Sequence, residues 1–169
     1  MDESAKRILV LGVGNILFTD EGVGVHTVNE LEKSYDFSDN VRLMDGGNLG
    51  MRLMEPIMDS DLLIVVDAVL GDGEAGSLYR LTGDDLRKSL AFKNSMHQTD
   101  LVDTLIYCEI LGNRPEAVIV GIEPYDFQSS GVEMSEVLAE RLPEMMAAVL
   151  TEVAAAGGSY AVKPALAEE

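Results

Sequence analysis

The sequence predicts a three-layer α/β fold, with helices on both faces of a largely parallel sheet of about five strands. Short, continuous apolar runs rich in branched residues, at residues 7–13 and 61–66, fit strands buried on both faces. Stretches with helical spacing alternate with those runs, the pattern that layers helices over a parallel sheet. Turn clusters separate the two kinds of segment, among them Gly12-Val13-Gly14-Asn15 and Asp45-Gly46-Gly47-Asn48.

Taken in order, residues 7–13 (RILVLGV) form the first strand, broken by Gly12-Val13-Gly14-Asn15. Thr19 or Asp20 can then cap a helix that begins near Glu21 and carries Val23, Val28 and Leu31 on one face. Residues 41–44 read as a second strand, ended by the Asp45-Gly46-Gly47-Asn48 turn, with a short helix over residues 51–58. Residues 61–66 (DLLIVV) form the clearest strand, and Asp67 stands at its carboxyl end. A turn over residues 71–76 leads to a shorter edge strand over residues 77–81. Residues 86–97 lack periodicity and read as a functional loop, followed by a helix over residues 100–111 and a strand over residues 117–122. After a loop over residues 121–131, Ser135 opens a long helix to about Ala155, with Val137, Leu138, Leu142, Met145 and Val149 on its apolar face. Pro143 should interrupt it, since an interior proline costs about 3 kcal/mol. Residues 1–156 form one domain, and the Gly-, Ala- and Glu-rich residues 157–169 read as a loose tail.

Composition narrows the function. The 169 residues suit one domain with a substantial core, at 47% hydrophobic and 25% charged. A formal net charge of −18 argues against nucleic acid or an anionic membrane as partner. No apolar run approaches the roughly 20 residues of a spanning helix. The acidic opening Met1-Asp2-Glu3-Ser4 does not read as a signal peptide, so a cytoplasmic protein is expected. Cys108, the only cysteine, falls in a helical pattern and reads as a small core hydrophobe. At this size a monomer is expected.

Three residues carry the chemistry: Glu21, Asp67 and His97. Each lies at or near the end of a strand-like run, where open α/β sheets build their sites. Two carboxylates and one imidazole could hold a borderline divalent ion and leave room for a substrate atom. Taken singly, Glu21 is explained as an acid stabilising a helix N-terminus, and Asp67 or His97 as a cap or turn residue. His26 reads as a surface or packing residue, and the nine methionines as core filler. Gly12-x-Gly14 invites a nucleotide-binding reading, but Leu17 stands at the third glycine position and Asp20-Glu21 would repel a pyrophosphate. No G-x-S-x-G, H-E-x-x-H, or Asp-Thr-Gly or Asp-Ser-Gly loop is present.

Residues 8–25 (ILVLGVGNILFTDEGVGV) resemble the opening of the nickel–iron hydrogenase maturation endopeptidases. So do Asp45-Gly46-Gly47, Asp67-Ala68, Ser95-Met96-His97-Gln98 and Val120-Gly121-Ile122-Glu123-Pro124, in the same order over roughly residues 7 to 150. The resemblance implies an endopeptidase that removes a C-terminal extension from the nickel-loaded precursor of the hydrogenase large subunit. It implies Glu21, Asp67 and His97 as metal ligands, with nickel supplied by the precursor. Asp45 takes the family's glycine-flanked acidic position, as a candidate base or water-orienting residue, with Gly46-Gly47 N–H groups as candidate oxyanion donors. A non-catalytic nickel chaperone built on the same ligands, or a nucleotide-binding α/β enzyme, are the alternatives.

Overall fold

A computed structural model describes residues 5–47, 53–89 and 101–164. Its main sheet holds β1 (Ile8–Val13), β3 (Val41–Gly47), β4 (Leu62–Ala68), β5 (Leu78–Leu81) and β6 (Glu116–Ile122), in the order β3-β1-β4-β6-β5. The first four strands in that order run parallel and β5 closes one edge antiparallel to β6. The five-strand, mostly parallel sheet is the one expected.

Alternation along the strands explains the continuous apolar runs. Ile8 and Val10, Ile64 and Val66, and Val118 and Val120 point to one face. There they meet Val23, Val28 and Leu31 of α1 (Val23–Ser34) and Leu138, Met145, Val149 and Val153 of α4 (Glu136–Ala155). Leu9 and Leu11, Leu63 and Val65, and Ile119 point the other way. They pack on Ile57 of α2 (Met54–Met58) and on Leu101, Leu105 and Cys108 of α3 (Leu101–Leu111). With both faces covered, a polar side chain at a buried position of β1, β4 or β6 needs a partner. Cys108 is buried, and burial pushes its thiol pKa up, as suits a core residue.

Several elements depart from expectation. β3 runs on through Asp45, Gly46 and Gly47, because these residues still pair with the end of β1 across a bulge at Gly46. The helix over α4 continues unbroken past Pro143. Pro143 and Ala139 lie on the exposed face, where water can take up the released carbonyl, while the buried stripe from Leu138 to Val153 holds both halves to the sheet. The tail is not loose throughout: β7 (Tyr160–Val162) pairs antiparallel with β2 (Tyr35–Phe37), and Tyr160 meets Tyr35 edge to face. Among the described residues no helix is long and apolar enough to cross a membrane.

Candidate functional site

β1 sits between β3 and β4, so the chain leaves β1 toward one neighbour and later returns to the other. Such a switch point opens a crevice outside the carboxyl ends of the strands, the usual ligand site of an open α/β sheet. Glu21 follows β1, Asp45 lies near the end of β3, and Asp67 lies near the end of β4. Three carboxylates distant in sequence thus sit at the same end of three adjacent strands.

The loop after β1 is folded tightly to deliver Glu21. Gly14 has φ +128°, and a Cβ there would lie 1.9 Å from the Glu21 carbonyl oxygen. Gly24, in the first turn of α1, would place a Cβ 1.9 Å from the Val66 carbonyl oxygen. These glycines therefore serve close packing of the loop and helix on β1 and β4, which accounts for them without a nucleotide. Glu21 is half-buried in a 3-10 turn, Thr19–Gly22, that packs against β4, the strand of Asp67.

Neither Thr19 nor Asp20 caps α1; the capping position is Gly22, with no side-chain bond. Both side chains are committed across the molecule instead. The Thr19 hydroxyl donates to the Ser129 carbonyl at 2.7 Å. Asp20, fully buried, accepts the N–H groups of Tyr125, Asp126 and Ser135 at 3.0, 2.9 and 2.7 Å, and the Ser135 hydroxyl at 2.8 Å. Asp126 in turn accepts from Ser129 and Gln128, and those bonds hold its carboxyl below the usual carboxylate range. The loop before Glu21 is thereby clamped to the loop that leads into α4.

Asp67 is fully buried, and its Oδ2 accepts a hydrogen bond from the equally buried Ser89 hydroxyl. Ser89 also forms a bridge with Val69 just beyond β4. His97, the third predicted ligand, lies outside the described residues. Asp45 is exposed, and its Oδ1 accepts the Gly47 N–H at 2.8 Å. That bond fixes the carboxylate through a local turn. It also engages the Gly47 N–H, which is therefore not available as one of the two expected oxyanion donors. A cleft of about 260 Å³ joins Asp45 and Gly47 to Gly14, Asn15, Ile16, Leu17 and Val25. A larger hollow, about 620 Å³, opens at the opposite end of β4 and β6, beside Leu62 and Glu116, and holds none of the predicted residues.

His26 lies half-buried on α1, its Nε2 buried without a hydrogen-bond partner among the described residues. Sequence reasoning missed Asp20 and Ser89 as supporting residues. Their partners lie far along the chain, and no local pattern marks them.

The sequence model of the HycI hydrogenase maturation protease family matches residues 25–152. The hydrogenase expression/formation protein HupD of Rhizobium leguminosarum bv. viciae is 40% identical over 129 residues, which cover 75% of this chain and 64% of that protein. The hydrogenase 2 maturation protease of Escherichia coli (strain K12) is 40% identical over 120 residues, covering 70% of this chain and 73% of that protein. The solved structure of the hydrogenase maturating endopeptidase HybD from E. coli superposes with a TM-score of 0.83 at 32% identity, over 93% of this chain and 98% of that one.

Proposed function

The chain belongs to the hydrogenase maturation protease family, and from that membership we propose that it cuts a C-terminal extension from the nickel-loaded precursor of a hydrogenase large subunit. What carries the reading beyond the family is the placement of Glu21 in the turn after β1, Asp45 near the end of β3 and Asp67 near the end of β4, all at the crevice end of the sheet. Nickel belongs to the substrate here, arriving in the precursor. Glu21 and Asp67, with His97, offer two carboxylates and an imidazole, a donor set that suits a borderline divalent ion. Such an ion supplies a fixed positive reference point against which the peptide is positioned.

The chain's own residues divide the remaining work. Asp45, turned by its bond from Gly47 and open to solvent in the cleft, is suited to hold a water and take its proton. The hydroxide so formed adds to the scissile carbonyl carbon, the carbon–nitrogen bond breaks, and the proton passes to the departing amine. Ser89 orients Asp67, and the Asp20 clamp orients the turn that carries Glu21. The reading includes a cytoplasmic setting, a monomeric protease, and neither nucleic acid nor membrane as partner.

The test is cleavage of purified large-subunit precursor, with and without nickel, read by intact mass. Loss of a C-terminal peptide from the nickel-loaded form alone is the expected result. A precursor that binds and stays intact supports a nickel chaperone instead, and one that neither binds nor shortens rejects this substrate.

A further inference from the structure

β3 is an edge of the main sheet, and among the described residues no strand pairs with its outer side. Its inner side is fixed by β1, with Ile8 opposite Val41 and the Ile8 N–H donating to the Asn40 carbonyl at 2.8 Å. In a parallel ladder that register turns the main-chain groups of Arg42 and Met44 toward β1, and those of Leu43 and Asp45 outward. Neither Leu43 nor Asp45 has an outward main-chain partner among the described residues. Open edges invite strand addition, and proteins ordinarily blunt them with charge, proline or brevity. β3 has seven residues, no proline and one basic side chain, Arg42, before its acidic end. The opposite edge, β5, has four residues.

We propose that the outer edge of β3 takes the substrate as an added strand, in which the extended segment around the scissile bond pairs with Leu43 and Asp45. The inference rests on the endopeptidase reading and specifies how that site holds its peptide. Continuity with the cleft favours this occupant: the edge ends at Asp45, which lines the cleft beside Ile16 and Leu17. An added strand lies about 4.8 Å from β3, with its amide groups near the plane of the sheet. Leu43 packs with the α1-side core, and Asp45, two residues on, shares its face, together with Val25 of the cleft. Side chains stand roughly perpendicular to a sheet, so a water held by Asp45 approaches the neighbouring carbonyl from above its plane, the direction that addition requires. From Val41 to Asp45 the edge spans about 13 Å, enough for a segment of four or five residues. Strand addition takes affinity from the main chain and specificity from alternate side chains. The net charge of −18 favours a segment without excess acid.

Leu43→Pro tests the idea, because it removes an outward N–H that β1 does not use, and proline is tolerated at such positions. Leu43→Ala controls for the lost side chain. If Leu43→Pro melts within a few degrees of Leu43→Ala and cleaves nickel-loaded precursor with kcat/KM at least tenfold lower, strand addition is supported; equal efficiency overturns it. Should the proline variant fail to fold, amide exchange in the wild-type chain bound to precursor decides. Slowed exchange at Leu43 and Asp45 with Met44 unchanged supports the added strand, and no slowing at Leu43 and Asp45 overturns it. A wild-type chain that shows this exchange pattern and leaves the precursor intact keeps the edge and defeats the peptidase reading.

Discussion

Ser135 donates both its hydroxyl and its main-chain N–H to the carboxylate of Asp20, at 2.8 and 2.7 Å. The pair joins the turn before α1 to the capping residue of α4, across 115 residues of sequence. Because Asp20 immediately precedes Glu21, the same bonds fix where a candidate ligand stands.

Asp20→Ala leaves four donors in a buried site without their acceptor, two of them from Ser135. The expected loss is about 3 kcal/mol of stability, which in a chain of this size lowers Tm by about 6–12 °C. Asp20→Asn keeps one oxygen acceptor and should lose less. A melting curve for Asp20→Ala within 1 °C of wild type would show that the clamp contributes nothing.

Much of the fold was legible because burial on both faces leaves a plain signal: β1, β4 and β6 each contain a continuous apolar run. Ser135 likewise announced α4, since a capping serine acts on its own next turn. The short β2–β7 pairing was not legible, as Tyr35–Phe37 and Tyr160–Val162 find one another across more than a hundred residues and neither run has an interior periodicity. The site divided along the same line. Asp67 is visible as a carboxylate closing an apolar strand, and Asp45 as an acid flanked by glycines. Asp20 suits a cap by residue type, and only tertiary contacts reveal that its oxygens are used elsewhere.

Gly14→Ala separates the two accounts of the Gly12-x-Gly14 pair. If the glycine serves the Glu21 turn, a Cβ 1.9 Å from the Glu21 carbonyl and a φ of +128° force the loop to move. The expected loss is on the order of 3 kcal/mol, accompanied by failure to cleave nickel-loaded precursor. Wild-type protein should show no thermal shift with NAD or ATP. A clear nucleotide-induced shift would restore the phosphate-binding account.

Asp61 gives stability a small acid-sensitive component. Hydrogen bonds from the Arg7 guanidinium, and then from the Arg7 main chain, hold its carboxyl below the usual aspartate range. The folded state therefore keeps this group ionised at acidities where the unfolded chain has begun to protonate it. The contribution is complete above the ordinary aspartate pKa and is lost as pH falls through the lowered folded value. Comparing urea midpoints of wild type and Asp61→Asn should show a deficit at pH 7 that shrinks below about pH 4. A deficit that stays constant down to pH 2 would mean that the ion pair is not its source. The pair is largely exposed, so 1 M salt should reduce the pH 7 difference.

Ser89→Ala probes how Asp67 is held. The substitution keeps the main-chain bridge to Val69 and removes little volume, but it takes away the hydroxyl that donates to Asp67 Oδ2. Outer partners of a metal-binding group commonly matter by about 10–100-fold in affinity or activity, and cleavage of nickel-loaded precursor should fall by that order. The informative quantity is the preference for nickel-loaded over nickel-free precursor in binding. If Ser89 orients Asp67 toward the ion, that preference shrinks along with the cleavage rate. A variant that melts several degrees lower and keeps the full preference would make Ser89 a stabilising residue only, with Asp67 oriented by its place in β4.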